Sequence, residues 1–221
     1  MHFLSVFLLL AGLVTSSQAA DIPLKAQRST VTTAHHWTGF YVGLHAGGAR
    51  STTTSSATDR AALIAVFGGV PDPSGVFGGA QLGYNYQLPN NVVLGFEVSG
   101  GGGPGFSDTV SNPVASLKSE MRWYTFVTGR VGYAFDRWMP YVLGGGAWAG
   151  LRATSVTLAG SAVLRNTHPG FVVGGGLAYA MTPNFSIAGE FRYVDLSARP
   201  YGLVSTGSEV SAVSLRGDYR F

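Results

Sequence analysis

Along most of the chain, apolar residues alternate one by one with small or polar ones. That is the period of a strand whose two faces meet different surroundings. The alternation recurs in eight segments. In the first, Thr38 to Gly48, one face carries Phe40, Val42, Leu44 and Ala46, and the other Gly39, Tyr41, Gly43, His45 and Gly47. In Val76 to Leu88, Ala80, Leu82, Tyr84 and Tyr86 alternate with Gln81, Gly83, Asn85 and Gln87. Val92 to Ser99 sets Val92, Leu94, Phe96 and Val98 against Gly95, Glu97 and Ser99. Arg122 to Phe135 sets Val127, Val131, Tyr133 and Phe135 against Thr128, Arg130 and Gly132.

The fifth segment, Met139 to Leu151, predicts Tyr141, Leu143 and Ala147 outward and Gly144, Gly146 and Trp148 inward. Gly170 to Met181 predicts Val173, Leu177, Tyr179 and Met181 outward and Gly174, Gly176 and Ala178 inward. Phe185 to Val194 alternates Phe185, Ile187, Phe191 and Tyr193 with Ser186, Ala188, Glu190 and Arg192. Val210 to Phe221 alternates Val213, Leu215, Tyr219 and Phe221 with Ser214, Arg216, Asp218 and Arg220.

The connections alternate too. Pro89 to Asn91, Asp136 to Trp138 and Thr182 to Asn184 read as tight turns. Ala49 to Gly75, Gly100 to Met121, Arg152 to Pro169 and Asp195 to Glu209 read as long loops. Every second strand ends in outward residues at i, i+2: Tyr84/Tyr86, Tyr133/Phe135, Tyr179/Met181 and Tyr219/Phe221. Such a ring of aromatics suits a membrane–water interface. The pattern predicts an all-β fold: an eight-stranded antiparallel transmembrane β-barrel with short periplasmic turns and four long external loops. An even strand count leaves both mature termini on the periplasmic side. A soluble barrel that carries a ligand would turn its apolar face inward, the opposite polarity.

Composition sharpens this picture. The 221 residues include 32 Gly, no Cys and 25 Asp, Glu, Lys and Arg. Mean hydropathy is +0.22. So many glycines disfavour a helical bundle, and the low charge argues against disorder. Lack of Cys excludes disulfides and thiolate chemistry. Met1 to Ala19 carries an apolar run, Phe3 to Val14, then Ser17-Gln18-Ala19, and reads as a cleaved secretory signal. No other stretch reads as a spanning helix, and for an apolar exported chain a closed barrel is the alternative. The expected organisation is a signal peptide at 1–19, a periplasmic N-terminal segment at 20–36, and the barrel at 37–221.

Several motifs then carry a resemblance. Trp37-Thr38-Gly39-Phe40-Tyr41-Val42-Gly43, Gly83-Tyr84-Asn85-Tyr86, Gly129-Arg130-Val131-Gly132-Tyr133-Ala134 and Thr182-Pro183-Asn184 lead on to Glu190-Phe191-Arg192-Tyr193-Val194-Asp195. Together they resemble the small alphaproteobacterial outer-membrane β-barrel proteins of the opacity-like porin family, related to the membrane domain of outer membrane protein A. The resemblance runs from about Trp37 to Phe221. It implies location in the cell outer membrane of a Gram-negative bacterium and a structural, porin-like or host-contact role. The terminal Tyr219-Arg220-Phe221 resembles the signal read by the barrel assembly machinery. Ala178 stands where such proteins often carry an acid, which argues against a large interior charge network.

Interior charges are placed by counting from the strand ends. Glu97 and Arg130 each lie five residues from a periplasmic end, as do Glu190 and Arg216. The count predicts Glu97 facing Arg130 and Glu190 facing Arg216, since unpaired charges here would be costly. Gln81, Asn85, Ser214, Arg192 and Asp218 are the expected polar company, and Gly43, Gly144 or Gly146, and Gly176 the expected space. An eight-stranded barrel is barely wide enough for its own side chains. The pairs are therefore expected to fill the interior, rather than to form a regulated gate.

Other candidate chemistry is sparse. His35-His36 reads as polar linker, and His45 as an interior hydrogen-bonding filler. His168, with Ser161 and Arg165 nearby, could suggest a hydrolase site or a haem contact, but no spacing supports a triad. No catalytic residue, metal ligand or cofactor is expected, and the chain is not expected to be an enzyme. Gly100 to Gly105 precedes no helix, so it is no phosphate loop. The isoelectric point of 9.3 comes without a Lys/Arg cluster, so no nucleic-acid partner is expected. Lys25, Arg28, Arg60 and Lys118 are candidates for anionic groups of outer-membrane lipid or lipopolysaccharide. Ala61 to Phe67 reads as a short helix, a contact surface or a segment packing over the barrel mouth. The expected function is structural, with narrow passive permeation at most. The alternative is a surface adhesin, or a ligand- or haem-binding protein, acting through the external loops on a host surface or small ligand.

Overall fold

The computed structural model describes residues 35–103 and 105–221. The signal expected at 1–19, and residues 20–34 with Lys25 and Arg28, lie outside the described residues. In chain order the elements are β1 (Gly39–Ser55), α1 (Ala57–Phe67), β2 (Ser74–Gln87), β3 (Val92–Gly102) and β4 (Ser107–Asn112). They continue with β5 (Ala115–Tyr133), β6 (Trp138–Thr157), β7 (Gly160–Ala180), β8 (Phe185–Tyr201) and β9 (Val204–Arg220).

Eight strands close into an antiparallel ring, β1-β2-β3-β5-β6-β7-β8-β9, with β9 returning to pair with β1. Closure leaves the ring no free edge, so every strand satisfies its backbone groups on both sides. The short β4 stands outside the ring count, paired along β5 and touching β2 at Ser74↔Ser107. The tight turns fall where the sequence puts them. Asn91 (φ 66°) and Asp136 (φ 52°) take the left-handed conformation that Asn and Asp tolerate.

The opposite end differs from expectation. Most of the four long loops are continuous ladder. β6 and β7 stay paired up to Thr157↔Gly160, β8 and β9 to Tyr201↔Val204, and β4 and β5 to Asn112↔Ala115. Runs such as Ala153-Thr154-Ser155-Val156-Thr157 are β-formers without turn signals, so pairing continues beyond the apolar band. The remaining connection, between β1 and β2, contains α1. Ser56 caps its start by accepting the Asp59 amide at 3.0 Å, and Gly68 (φ 82°) ends it in the left-handed region. Leu63 of α1 is buried.

Face assignments hold on seven ring strands and fail on β6. There Met139, Tyr141, Leu143, Ala147, Ala149 and Leu151 are buried inward, while Val142 and Trp148 are exposed outward. Tyr141, Leu143 and Ala147 are thus inside, and Gly144, Gly146 and Trp148 outside, the reverse of the prediction. Both phases of this segment are apolar or glycine, so alternation could not distinguish them. A polar anchor does: the Tyr141 hydroxyl donates to Glu190 across the lumen at 2.7 Å. The aromatic girdle is present and tightly packed. Phe40 meets Tyr84 at 4.7 Å, Tyr133 meets Phe135 at 4.6 Å, Trp138 meets Tyr179 at 4.5 Å and Tyr219 meets Phe221 at 5.3 Å between ring centroids.

Candidate functional site

The interior is layered from the tight-turn end upward. Trp37 is buried in the mouth of the ring at that end, with its amide donating to Gln87 Oε1 at 2.8 Å. The Arg220 guanidinium lies 5.6 Å from the Trp37 ring centroid and donates to His35 Nε2 at 2.6 Å and to the Pro183 carbonyl at 2.6 Å. Burial and Arg220 together hold the His35 imidazole down at about 4.

Above this mouth lies a network of three guanidiniums and three carboxylates. Glu97, 2% exposed, is its hub. Its Oε2 accepts from Arg216 Nη2 at 2.5 Å and from the Tyr41 hydroxyl at 2.8 Å. Its Oε1 accepts from Arg192 Nη2 at 3.0 Å, and Arg130 Nη1 stands 3.7 Å from Oε2. Glu190 accepts from Arg192 Nε, from Arg216 Nη1 at 3.2 Å and from the Tyr141 hydroxyl at 2.7 Å. Asp218 accepts from Arg216 Nε at 3.0 Å and from Gln81 Nε2 at 2.7 Å. Asn85 Oδ1 accepts from Arg130 Nε at 3.0 Å, and Ser99 Oγ from Arg192 Nη1 at 3.1 Å. The Tyr41 ring lies 4.7 Å from Arg130, and the Phe126 ring 5.1 Å from Arg192. Ser214 is buried in the same interior.

The network brings together Glu97, Arg130, Glu190, Arg216, Gln81, Asn85, Arg192 and Asp218, as the sequence predicts, but wires them differently. Glu190 does meet Arg216. Glu97 is held chiefly by Arg216 and Arg192 from across the lumen, and Arg130 is its most distant partner. The reason is register. Glu97 pairs with Thr128 and Arg130 with Gly95, while Glu190 pairs with Ser214 and Arg216 with Ala188. Counting from Phe135 and Phe221 starts two residues past the true partners, Tyr133 and Tyr219. Both presumed pairs are therefore diagonal, and long side chains reach across instead. The network is also larger than the Ala178 departure suggests. Gly43 and Gly176 do supply space: a Cβ at Gly43 would fall 2.2 Å from Asp218 Oδ1, and one at Gly176 2.7 Å from the Tyr141 ring. Gly144 and Gly146 face outward and do not contribute.

Sequence reasoning missed two members, Tyr41 and Tyr141, whose hydroxyls complete the two glutamates. An inward tyrosine among glycines was the available signal on β1. On β6 no signal separated the two phases.

Two small chambers continue the interior. The lower, about 50 Å³, is lined by His45, Phe77, Phe106, Tyr124, Phe126 and Val194 among others. His45 Nδ1 lies 2.6 Å from Gln81 Oε1 and Nε2 lies 2.6 Å from the Tyr124 hydroxyl. Since Gln81 Oε1 only accepts, Nδ1 carries the proton and Nε2 accepts from Tyr124. The upper chamber, about 140 Å³, lies beneath Leu63 and Phe67 of α1 and reaches Leu151, His168 and Tyr201. His168 is not arranged around Ser161. Its Nδ1 donates to the Ser197 carbonyl at 2.9 Å and its Nε2 meets the Tyr201 hydroxyl at 2.9 Å. Among the described residues no group of three His, Cys, Asp or Glu is placed to hold a metal ion.

A closed ring of eight antiparallel strands, apolar outside and charge-filled inside, defines a β-barrel of the kind that spans outer membranes. The chain belongs to the family of the outer membrane protein beta-barrel domain, whose model matches residues 6–221. It is 31% identical over 203 residues to the 31 kDa outer-membrane immunogenic protein of Brucella melitensis, covering 86% of this chain and 85% of that one. It is 30% identical over 195 residues to the 22 kDa outer membrane protein of Rhizobium leguminosarum bv. viciae, covering 86% and 81%. Similar solved structures include Ail, the attachment invasion locus protein of Yersinia pestis, at 17% identity and TM-score 0.47, covering 83% of this chain and 99% of that one. Neisserial surface protein A aligns at 18% identity and TM-score 0.46, covering 83% and 98%.

Proposed function

We propose that this protein is a structural component of the outer membrane whose lumen is closed, so that it passes at most water and the smallest ions. The carrying observation is Glu97, gripped inside the lumen by Arg216, Arg192 and Arg130. Three cations balance three carboxylates, so the network is neutral as a whole and each charge has a partner. Trp37 with Arg220 below and α1 above narrow the same path. The chambers are smaller than the ~300–1,000 Å³ usual for ligand sites, which disfavours haem. We assign no catalytic step, cofactor or nucleic-acid partner to the chain.

In this reading the tight turns and both termini face the periplasm and the long hairpins face outward. The C-terminal Tyr219 and Phe221, exposed on the outer wall, serve the barrel assembly machinery. Liposome swelling tests the closed lumen. Vesicles carrying the protein should take up a pentose no faster than empty ones, and rapid swelling would overturn the reading. Epitope tags test orientation: a tag between Leu158 and Ala159 should be reached by antibody on intact cells, and a C-terminal tag only after permeabilisation.

A second reading, contact with a host surface, is favoured by one observation. The outward hairpins end in exposed apolar side chains: Val114, Leu158 and Leu203. The Brucella relative's name, an immunogenic protein, also suits surface exposure. Replacing all three by Ser should abolish cell attachment while the barrel stays folded; unchanged attachment would remove this reading.

A further inference from the structure

On the outer wall of the barrel, three guanidiniums gather beside one carboxylate, Glu120, that is already paired with Lys118. The register shift between Met121 and Trp123 on β5 brings Arg122 and Trp123 to the surface. On β6 and β7, Arg152 and Arg165 are direct cross-strand partners. Side chains so placed begin about 4.5–5.5 Å apart, and like charges there repel. The nearby carboxylate, Glu120, pairs across from Arg152 but is engaged by Lys118 at 3.0 Å. Among the described residues, no carboxylate lies within ion-pair distance of Arg122, Arg152 or Arg165. The Arg152 Nε is buried and has no hydrogen-bond partner.

These groups line one recess of about 330 Å³, with Arg122, Trp123, Arg152, Arg165, Asn166 and Thr167 on its walls. Gly150 makes room for the Trp123 ring, since a Cβ there would fall 2.2 Å from its Nε1. Height identifies the ligand class. Trp148, outward on β6, stands ten residues from Trp138 of the aromatic girdle, which is about the length of a tilted membrane strand. Arg152 lies four residues farther on, roughly 10 Å beyond the hydrocarbon edge. A glycerophospholipid phosphate lies nearer the hydrocarbon than that. A phosphorylated saccharide head reaches this height. Guanidiniums suit its phosphate through paired N–H donors, and Trp123 offers a flat apolar face to a sugar ring.

We propose that this recess binds a phosphorylated sugar of the outer-leaflet glycolipid, with the phosphate between Arg152 and Arg165 and Arg122 completing the cradle. The assignment rests on the outward orientation of the hairpins proposed above. The test uses the full chain folded in detergent micelles, as wild type and as the double variant R152Q/R165Q. The probes are lipopolysaccharide, phosphatase-treated lipopolysaccharide and inorganic phosphate. Wild type should bind lipopolysaccharide at least about tenfold more tightly than the variant, and phosphatase treatment should lower wild-type binding to the variant's level. Arg137→Gln, exposed at the tight-turn end and outside the recess, should bind as wild type does. Equal binding by wild type and double variant, or no effect of phosphatase on wild type, would overturn the proposal. Displacement by inorganic phosphate at equal concentration would overturn the glycolipid as the source of the anion. A tag between Leu158 and Ala159 that antibody reaches only after permeabilisation would instead count against the orientation, so the two failures are distinguishable.

Discussion

Glu97 on β3 and Arg216 on β9 meet at 2.5 Å across the barrel lumen, although β2 and β1 lie between their strands in the ring. Arg216 also binds Glu190 and Asp218, so one guanidinium serves all three carboxylates of the interior. Replacing Arg216 by Met leaves three buried acids with too little positive charge. Removing one partner of a buried pair costs about 3–5 kcal/mol. We expect a loss of that order in urea unfolding from lipid vesicles, with the heat-modifiable band melting at lower temperature.

The tyrosines make a milder contribution. Tyr141→Phe deletes the hydroxyl that donates to Glu190 at 2.7 Å but retains the ring. The expected cost is about 1–3 kcal/mol, read by the same unfolding measurement. Tyr141→Phe as stable as wild type would show that the hydroxyl contributes nothing.

The orientation of β6 is directly testable. Val142 faces out and Leu143 faces in. With Cys at each position in turn, a membrane-soluble thiol reagent should label V142C and leave L143C unmodified. The opposite labelling would restore the face assignment read from the sequence.

Two glycines should respond oppositely to the same change. At Gly43, a Cβ would fall 2.2 Å from Asp218 Oδ1 and 2.4 Å from the Gly217 carbonyl; at Gly189 nothing lies within 4 Å. Gly43→Ala should lower the melting temperature, and Gly189→Ala should change stability by no more than about 0.5 kcal/mol.

Acid should loosen the mouth at the tight-turn end. His35 is held down to about 4 from the usual 6.5, first by burial and then by Arg220. Between these values the released segment binds a proton that the docked one does not. Docking is therefore full above the usual histidine pKa and weakens as pH falls from about 6.5 towards 4. The protection factor of the Trp37 amide, which removes the pH dependence of intrinsic exchange, should fall as pH drops through that window in wild type. It should stay flat in His35→Gln.

Much of this fold is legible in the sequence because a lipid-facing strand must alternate. Phe40, Leu82, Phe96, Phe191 and Leu215 against Tyr41, Gln81, Glu97, Arg192 and Arg216 leave one consistent set of faces. Legibility fails where that contrast fails. β6 is apolar or glycine in both phases, and only the Tyr141–Glu190 bond fixes its direction. Membership of the interior network was readable, since a charge on the inward phase has nowhere else to go. Its wiring was not, because strand ends do not report stagger, and a two-residue error turns neighbours into diagonals. The hairpin extensions were hidden for another reason. Beyond the lipid band both faces meet water, so polarity no longer marks a strand, and only β-propensity remains.

The central claim, that the charge network closes the lumen, is tested most directly by single-channel recording in planar bilayers. The recordings compare wild type with the double variant E97A/R216A, both shown to be folded by their heat-modifiable mobility. The account predicts no resolvable steps for wild type and small, stable steps for the variant. Stable wild-type steps of the same size as the variant's would contradict it.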